Sequence, residues 1–93
     1  MSRVVRRRVV IHGRVQGVGF RWFVHDAADA AGVVGWVRNR PAGSVEAELE
    51  GPPAAIDDVI GLLRVGPPGA RVDRVDVEES GLQGDTAFRI LHT

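Results

Sequence analysis

Hydrophobic and polar positions alternate with two different periods along the chain. Val9 and Ile11 alternate with Arg8, Val10 and His12 in a β-branched run that stops at Gly13, which predicts a strand buried on at least one face. From Phe20 the period changes. Phe20, Phe23, Val24, Ala27, Ala28 and Ala31 fall at i, i+3, i+4, i+7, i+8 and i+11, the stripe of an amphipathic helix, and Gly32 is placed to end it. Val34-Gly35-Trp36-Val37-Arg38-Asn39, the turn Arg40-Pro41-Ala42-Gly43 and the run Ser44 to Glu50 then read as an antiparallel hairpin. In its second arm Val45, Ala47 and Leu49 point one way and Glu46, Glu48 and Glu50 the other. Evenly spaced carboxylates suggest a metal comb, but a solvated sheet face with Arg38 and Arg40 as cross-strand partners explains them more simply.

Pro52 and Pro53 open a second helix, where first-turn amides have no intrahelical partner to lose, and Ile56, Val59, Ile60 and Leu63 supply its stripe. Val65-Gly66-Pro67-Pro68-Gly69 cannot continue it. Val72, Val75 and Val77 mark a strand whose alternation slips once, as at a bulge, and Phe88 and Ile90 mark the last strand. The order is strand, helix, strand, strand, helix, strand (βαββαβ), with room for a short extra C-terminal strand after the loop from Ser80 to Asp85. This is the split βαβ of the ferredoxin-like α+β class: an antiparallel sheet with two helices packed on one face. Residues 1–93 make one domain.

Composition narrows the chemistry. Twelve Lys+Arg balance twelve Asp+Glu, so no global basic field draws the chain to nucleic acid or an anionic membrane. There is no cysteine, which excludes disulfides, thiolate zinc sites and cysteine nucleophiles; there is no lysine, which excludes Schiff bases and a Walker-type loop. No apolar run has the length of a signal core or a membrane span, so the expected compartment is the cytoplasm.

The chemistry centres on Gly13-Arg14-Val15-Gln16-Gly17-Val18-Gly19-Phe20-Arg21, between the first strand and the first helix. Gly17 and Gly19 let successive backbone N–H groups turn around an anion, the helix N-terminus adds partial positive charge, and Arg21 adds a fork that matches phosphoryl oxygens. Two glycines at a strand-to-helix turn also serve tight turning without a ligand, so spacing alone leaves both readings open. A third glycine at Rossmann spacing and a Lys-Ser/Thr pair are both missing, which argues against a nucleotide.

The residues themselves are distinctive. Gly13 to Arg21, then Gly35-Trp36-Val37-Arg38-Asn39 and Gly43-Ser44-Val45-Glu46-Ala47, closely resemble the acylphosphatase family, and the likeness extends through Gly66-Pro67-Pro68-Gly69-Ala70 to Phe88-Arg89-Ile90. The resemblance implies the ferredoxin-like fold and a cofactor-free, metal-independent hydrolase that splits acyl phosphates into a carboxylate and inorganic phosphate. It also implies that Arg21 binds the phosphoryl group with Val15, Gln16, Gly17, Val18, Gly19 and Phe20, while Asn39 holds the attacking water. The expected partner is a small acyl phosphate, with no nucleic acid or membrane, and the expected state is a monomer. The alternative is a non-catalytic binding module of the same fold for carbamoyl phosphate or another phospho-ligand.

Other residues fit blander roles. His12 and His25 read as surface histidines, His92 as part of a frayed terminus, and Arg6, Arg7 and Arg8 lack the aromatic platform that RNA binding needs. Trp22 and Trp36 read as packing residues, or, in the case of Trp22, as part of the mouth of the site. Arg40, Ala42 and the ending Leu91-His92-Thr93 depart from the family pattern. The first two bear on the stiffness of the turn beside Asn39, the ending on stability.

Overall fold

The computed structural model describes residues 3–92. Five strands, β1 (Val5–Arg14), β2 (Val34–Asn39), β3 (Val45–Gly51), β4 (Arg71–Ser80) and β5 (Phe88–Leu91), form one sheet in the order β4-β1-β3-β2-β5. Two helices, α1 (Phe20–Ala30) and α2 (Pro53–Val65), complete the fold. The β4-β1-β3-β2 pairings are antiparallel. The short extra strand is present as β5, and it pairs with β2 in parallel, which makes that edge of the sheet mixed. Because β3 lies between β1 and β2, those two strands run parallel and need a crossover, which α1 supplies.

The helices form where their stripes can be buried. Phe20, Val24 and Ala28 of α1, with Ile56, Val59, Ile60 and Leu63 of α2, pack in one core with Val9, Ile11, Val37, Val45, Ala47 and Leu49 of the sheet. Each Val, Leu, Ile or Phe among them contributes roughly 1.5–3 kcal/mol on leaving water. Gly32, at φ 69°, takes the left-handed turn after α1, and Pro53 stands in the first turn of α2.

The expected slip in β4 is a bulge. His12 pairs with Arg74 and Gly13 with Val72, leaving Asp73 unpaired between them. Gly13 accommodates the bulge: its φ is 134°, and a Cβ there would stand 2.1 Å from the Arg71 carbonyl oxygen.

The sheet face away from the helices is not the solvated surface expected. Arg6 is 2% exposed and donates to Glu48, to Glu50 (3.1 Å) and to Asp85 (3.1 Å). Arg8 joins Glu46 to Glu78, and Arg38 donates to Glu46 at 2.7 Å. Arg38 is thus a cross-strand partner as expected; Arg40 is in none of these pairs, and the remaining cations come from β1. The 81–87 segment folds over this face, and the N–H groups of Gln83 and Gly84 donate to the Glu50 carboxylate at 2.8 and 3.0 Å. Those amides, helped by Arg6, hold the Glu50 pKa below its ordinary value against the effect of burial. Burial pushes Glu46 up, but hydrogen bonds from Arg38 and Arg8 outweigh it and leave the group below its ordinary value. Arg7 pairs with Asp57 of α2 and Glu79 of β4, so the guanidinium groups of Arg6, Arg7 and Arg8 are all engaged with carboxylates.

Candidate active site

The stretch singled out in the sequence divides into three parts. Gly13 and Arg14 still belong to β1, residues 15–19 turn irregularly, and Phe20 starts α1. Val15 (1% exposed) and Phe20 (2%) anchor the two ends of the turn in the core, and Val18 packs partly against it. Between them Gly17 and Gly19 are left-handed, at φ 75° and 76°. Left-handed residues in such a turn bring consecutive N–H groups to one side, where they form a nest for an anion. Gly19 is the N-cap of α1, no side chain caps it, and the first turn carries no acidic residue. The first-turn amides are therefore free to serve a ligand, with the helix dipole favouring negative charge.

A cavity of about 100 Å³ opens here, lined by Val15, Gly17, Gly19, Phe20, Arg21, Trp22 and Asn39. Arg21 is the one charged side chain in this lining, so the cavity has no carboxylate to repel an anion. Asn39 reaches it from the end of β2, where pairing with Val45 fixes its backbone. The parallel arrangement of β1 and β2 brings the strand-to-helix turn and Asn39 to the same end of the sheet. Six of the residues expected at the site thus meet in one cavity, with Trp22 added at its rim.

Gln16 and Val18 are not part of the lining. The Gln16 side chain points elsewhere: Nε2 donates to the carbonyl oxygens of Arg40 (2.7 Å) and Ser44 (3.0 Å). The Ser44 oxygen also accepts from the Arg40 N–H, at 2.9 Å, and closes the β2–β3 turn. Gln16 is therefore a strut between the 15–19 turn and the turn that follows Asn39. Sequence reasoning missed this because the partners lie 24 and 28 residues away and are backbone atoms. Because the strut uses only carbonyls, it places no demand on the side chain of Arg40.

The structure places His92 beside the site: its Nδ1 stands 3.3 Å from Nη1 of Arg21, within hydrogen-bonding reach of the guanidinium. The other histidines lie outside the cavity: His12 is on the sheet face away from the helices with Asp76 (3.0 Å) and Arg74 (3.2 Å), and His25 bonds Asp26 at 3.0 Å. Larger hollows of about 310 and 340 Å³ lie on that same face, but Arg6, Glu48 and Asp85 in the first and Arg8, Asp76 and Glu78 in the second are already paired.

The chain compares closely with known proteins. The sequence model of the Acylphosphatase family matches residues 7–90. An acylphosphatase of Thermococcus kodakarensis is 53% identical over 87 residues, covering 94% of this chain and 96% of that protein. The crystal structure of acylphosphatase from Bacillus subtilis superposes with a TM-score of 0.92 at 40% identity, over 97% of this chain and all (100%) of that one. A full-length HypF, in the phosphate- and nucleotide-bound form, matches at TM-score 0.89 and 28% identity, but only over 12% of its own length. The match begins within the first strand and ends within the last, and it takes in the anion turn and Asn39. The chain belongs to the acylphosphatase family.

Proposed function

We propose that this protein hydrolyses acyl phosphates to a carboxylate and inorganic phosphate, with the phosphoryl group held by Arg21 and the amides of the 15–20 turn and the attacking water aimed by Asn39. The observation that carries this reading is the single cavity shared by left-handed Gly17 and Gly19, Arg21 and Asn39. Water attacks phosphorus, the bond from phosphorus to the acyl oxygen breaks, and that oxygen keeps the electron pair as a carboxylate. The water proton passes to phosphate or solvent.

Each residue type suits this chemistry. An acyl phosphate is a mixed anhydride whose leaving group departs as an anion, so no general acid is needed, and the cavity lining offers none. Phosphoryl transfer asks for in-line placement and for charge stabilisation on the equatorial oxygens. Free amides and a guanidinium supply the second, at about 1.5–3 kcal/mol for each charge-assisted bond. A neutral amide such as Asn39 can donate to the water oxygen and accept one of its protons, which fixes its direction and leaves the second lone pair for phosphorus.

Hydrolysis of acetyl phosphate in H₂¹⁸O with a chelator present tests the reading. Attack at phosphorus puts the label into phosphate; label in acetate, or no turnover, sinks it. The same reading takes the enzyme to act as a monomer in the cytoplasm, which light scattering and cell fractionation test. A phospho-ligand module of the same fold would bind phosphate without turnover in that assay.

A further inference from the structure

Trp22 is out of place for a packing residue. It follows Arg21 in the first turn of α1, lines the phosphate cavity, and leaves 61% of its surface exposed. The other large exposed apolar side chains, Val4, Leu62, Val65, Val77 and Leu82, do not line that cavity. The indole is nevertheless held. It meets the His25 ring edge-on at 5.5 Å and 69°, and His25 meets Phe88 at 6.2 Å and 67°. Phe88 is 7% exposed and part of the core, so the aromatic column is anchored at its inner end and open at its outer one.

Size decides what the open end is for. A cavity of about 100 Å³ is smaller than the ~150 Å³ cavity that takes up one benzene ring, so it cannot hold a phosphoryl group and a ring-sized acyl group together. A phosphoryl group and the attacking water take that space. The acyl group of any substrate must therefore lie outside, across the rim, and the large apolar surface at that rim is the indole.

We propose that Trp22 is the acyl-group platform of the enzyme, selecting aromatic and other broad apolar acyl phosphates over short ones. The proposal rests on the hydrolase reading above. Stacking on a pre-held ring costs little ordering, and a neutral ring adds no attraction for the carboxylate once it forms, which favours product release. The acyl group stays on the platform in both ground and transition states, so the contact lowers KM and leaves kcat alone.

Steady-state kinetics with benzoyl phosphate and acetyl phosphate test it. Trp22→Ala raises KM for benzoyl phosphate about tenfold, as expected for loss of a stacked aromatic contact, with kcat kept within about twofold. Acetyl phosphate, too small to cover the indole, and inhibition by inorganic phosphate each change less than about threefold. Trp22→Phe keeps most of the preference, and His25→Ala, which removes the backing ring, loses part of it. An equal loss on both substrates, an effect confined to kcat, or unchanged KM for benzoyl phosphate overturns the platform while leaving the hydrolase intact. Turnover of neither substrate by the parent protein overturns the hydrolase reading, and the platform with it.

Discussion

Replacing Arg6 by alanine removes the guanidinium from among three carboxylates, Glu48, Glu50 and Asp85, on the covered face of the sheet. Taking one partner from a buried ion pair costs ~3–5 kcal/mol, because the remaining charge stays buried without compensation. Two features place this case at the lower end. Glu50 keeps the amides of Gln83 and Gly84, and the Glu48 and Asp85 side chains are each 19% exposed, which lets water reach them. A loss of ~3 kcal/mol follows. For 93 residues, unfolding entropy of ~2.1 cal/mol/K per residue gives ~0.2 kcal/mol/K, so the melting temperature falls by ~15 °C. Thermal melts followed by circular dichroism at pH 7 read this directly, and urea titration checks the free energy. The gap between parent and variant narrows toward pH 3, as acid titrates Glu50, whose folded pKa lies below its ordinary value in part through Arg6. Activity at room temperature persists, because Arg6 is absent from the proposed catalytic cavity. A shift under about 5 °C at pH 7, or an equal gap at both pH values, would refute the electrostatic account.

Asn39→Ala is expected to lower kcat by roughly two to three orders of magnitude while inhibition by phosphate stays within about twofold; parallel loss of both would show that Asn39 belongs to the phosphate cradle instead. Arg21→Lys also fails, since a point charge cannot reproduce the fork, and near-normal turnover there would remove Arg21 as the phosphate ligand. Gln16→Met keeps the side-chain length but loses both donations to the β2–β3 turn; phosphate inhibition weakens about tenfold, because the free end of the strut is the irregular turn while Asn39 is held by the sheet. An unchanged inhibition constant would show the strut to be idle. Acid should destabilise the fold in a defined window. Glu46 and Glu50 have folded pKa values below their ordinary 4.5, so their stabilisation is complete above that value and is lost as pH falls through the folded ones. Urea midpoints should hold from pH 7 to 5 and then drop, and a rise on acidification contradicts the sign.

The legible parts of the fold were those written in local spacing. Phe20 to Ala31 carried α1, Val45 to Glu50 carried a strand with two distinct faces, and the slipped alternation of Val72 and Val75 carried the bulge at Asp73. The lining of the candidate cavity was legible where backbone conformation needs a particular residue, as at Gly17 and Gly19, or where a charge stands at a helix start, as at Arg21, whereas the place of Asn39 came from the family resemblance. What escaped was set by distant chain. Glu50 alternates like a solvent-facing residue, and only the 81–87 segment folding over it makes it buried. Gln16 finds its acceptors across a different turn, and His92 meets Arg21 from 71 residues away. A local pattern reports which face a residue is on, but not what later covers that face.

The position of β3 between β1 and β2 has a kinetic meaning. The phosphate turn leaves β1 and Asn39 ends β2, yet these strands have no ladder of their own and are spaced by β3 alone. During folding the turn and α1 can order locally, but the two halves of the proposed catalytic cavity reach their working separation only when β3 is inserted. Long-range pairings of this kind form slowly, because loop closure must precede the contacts that reward it. Regained turnover in a refolding experiment therefore times the insertion of the central strand, whereas helical signal returns ahead of it.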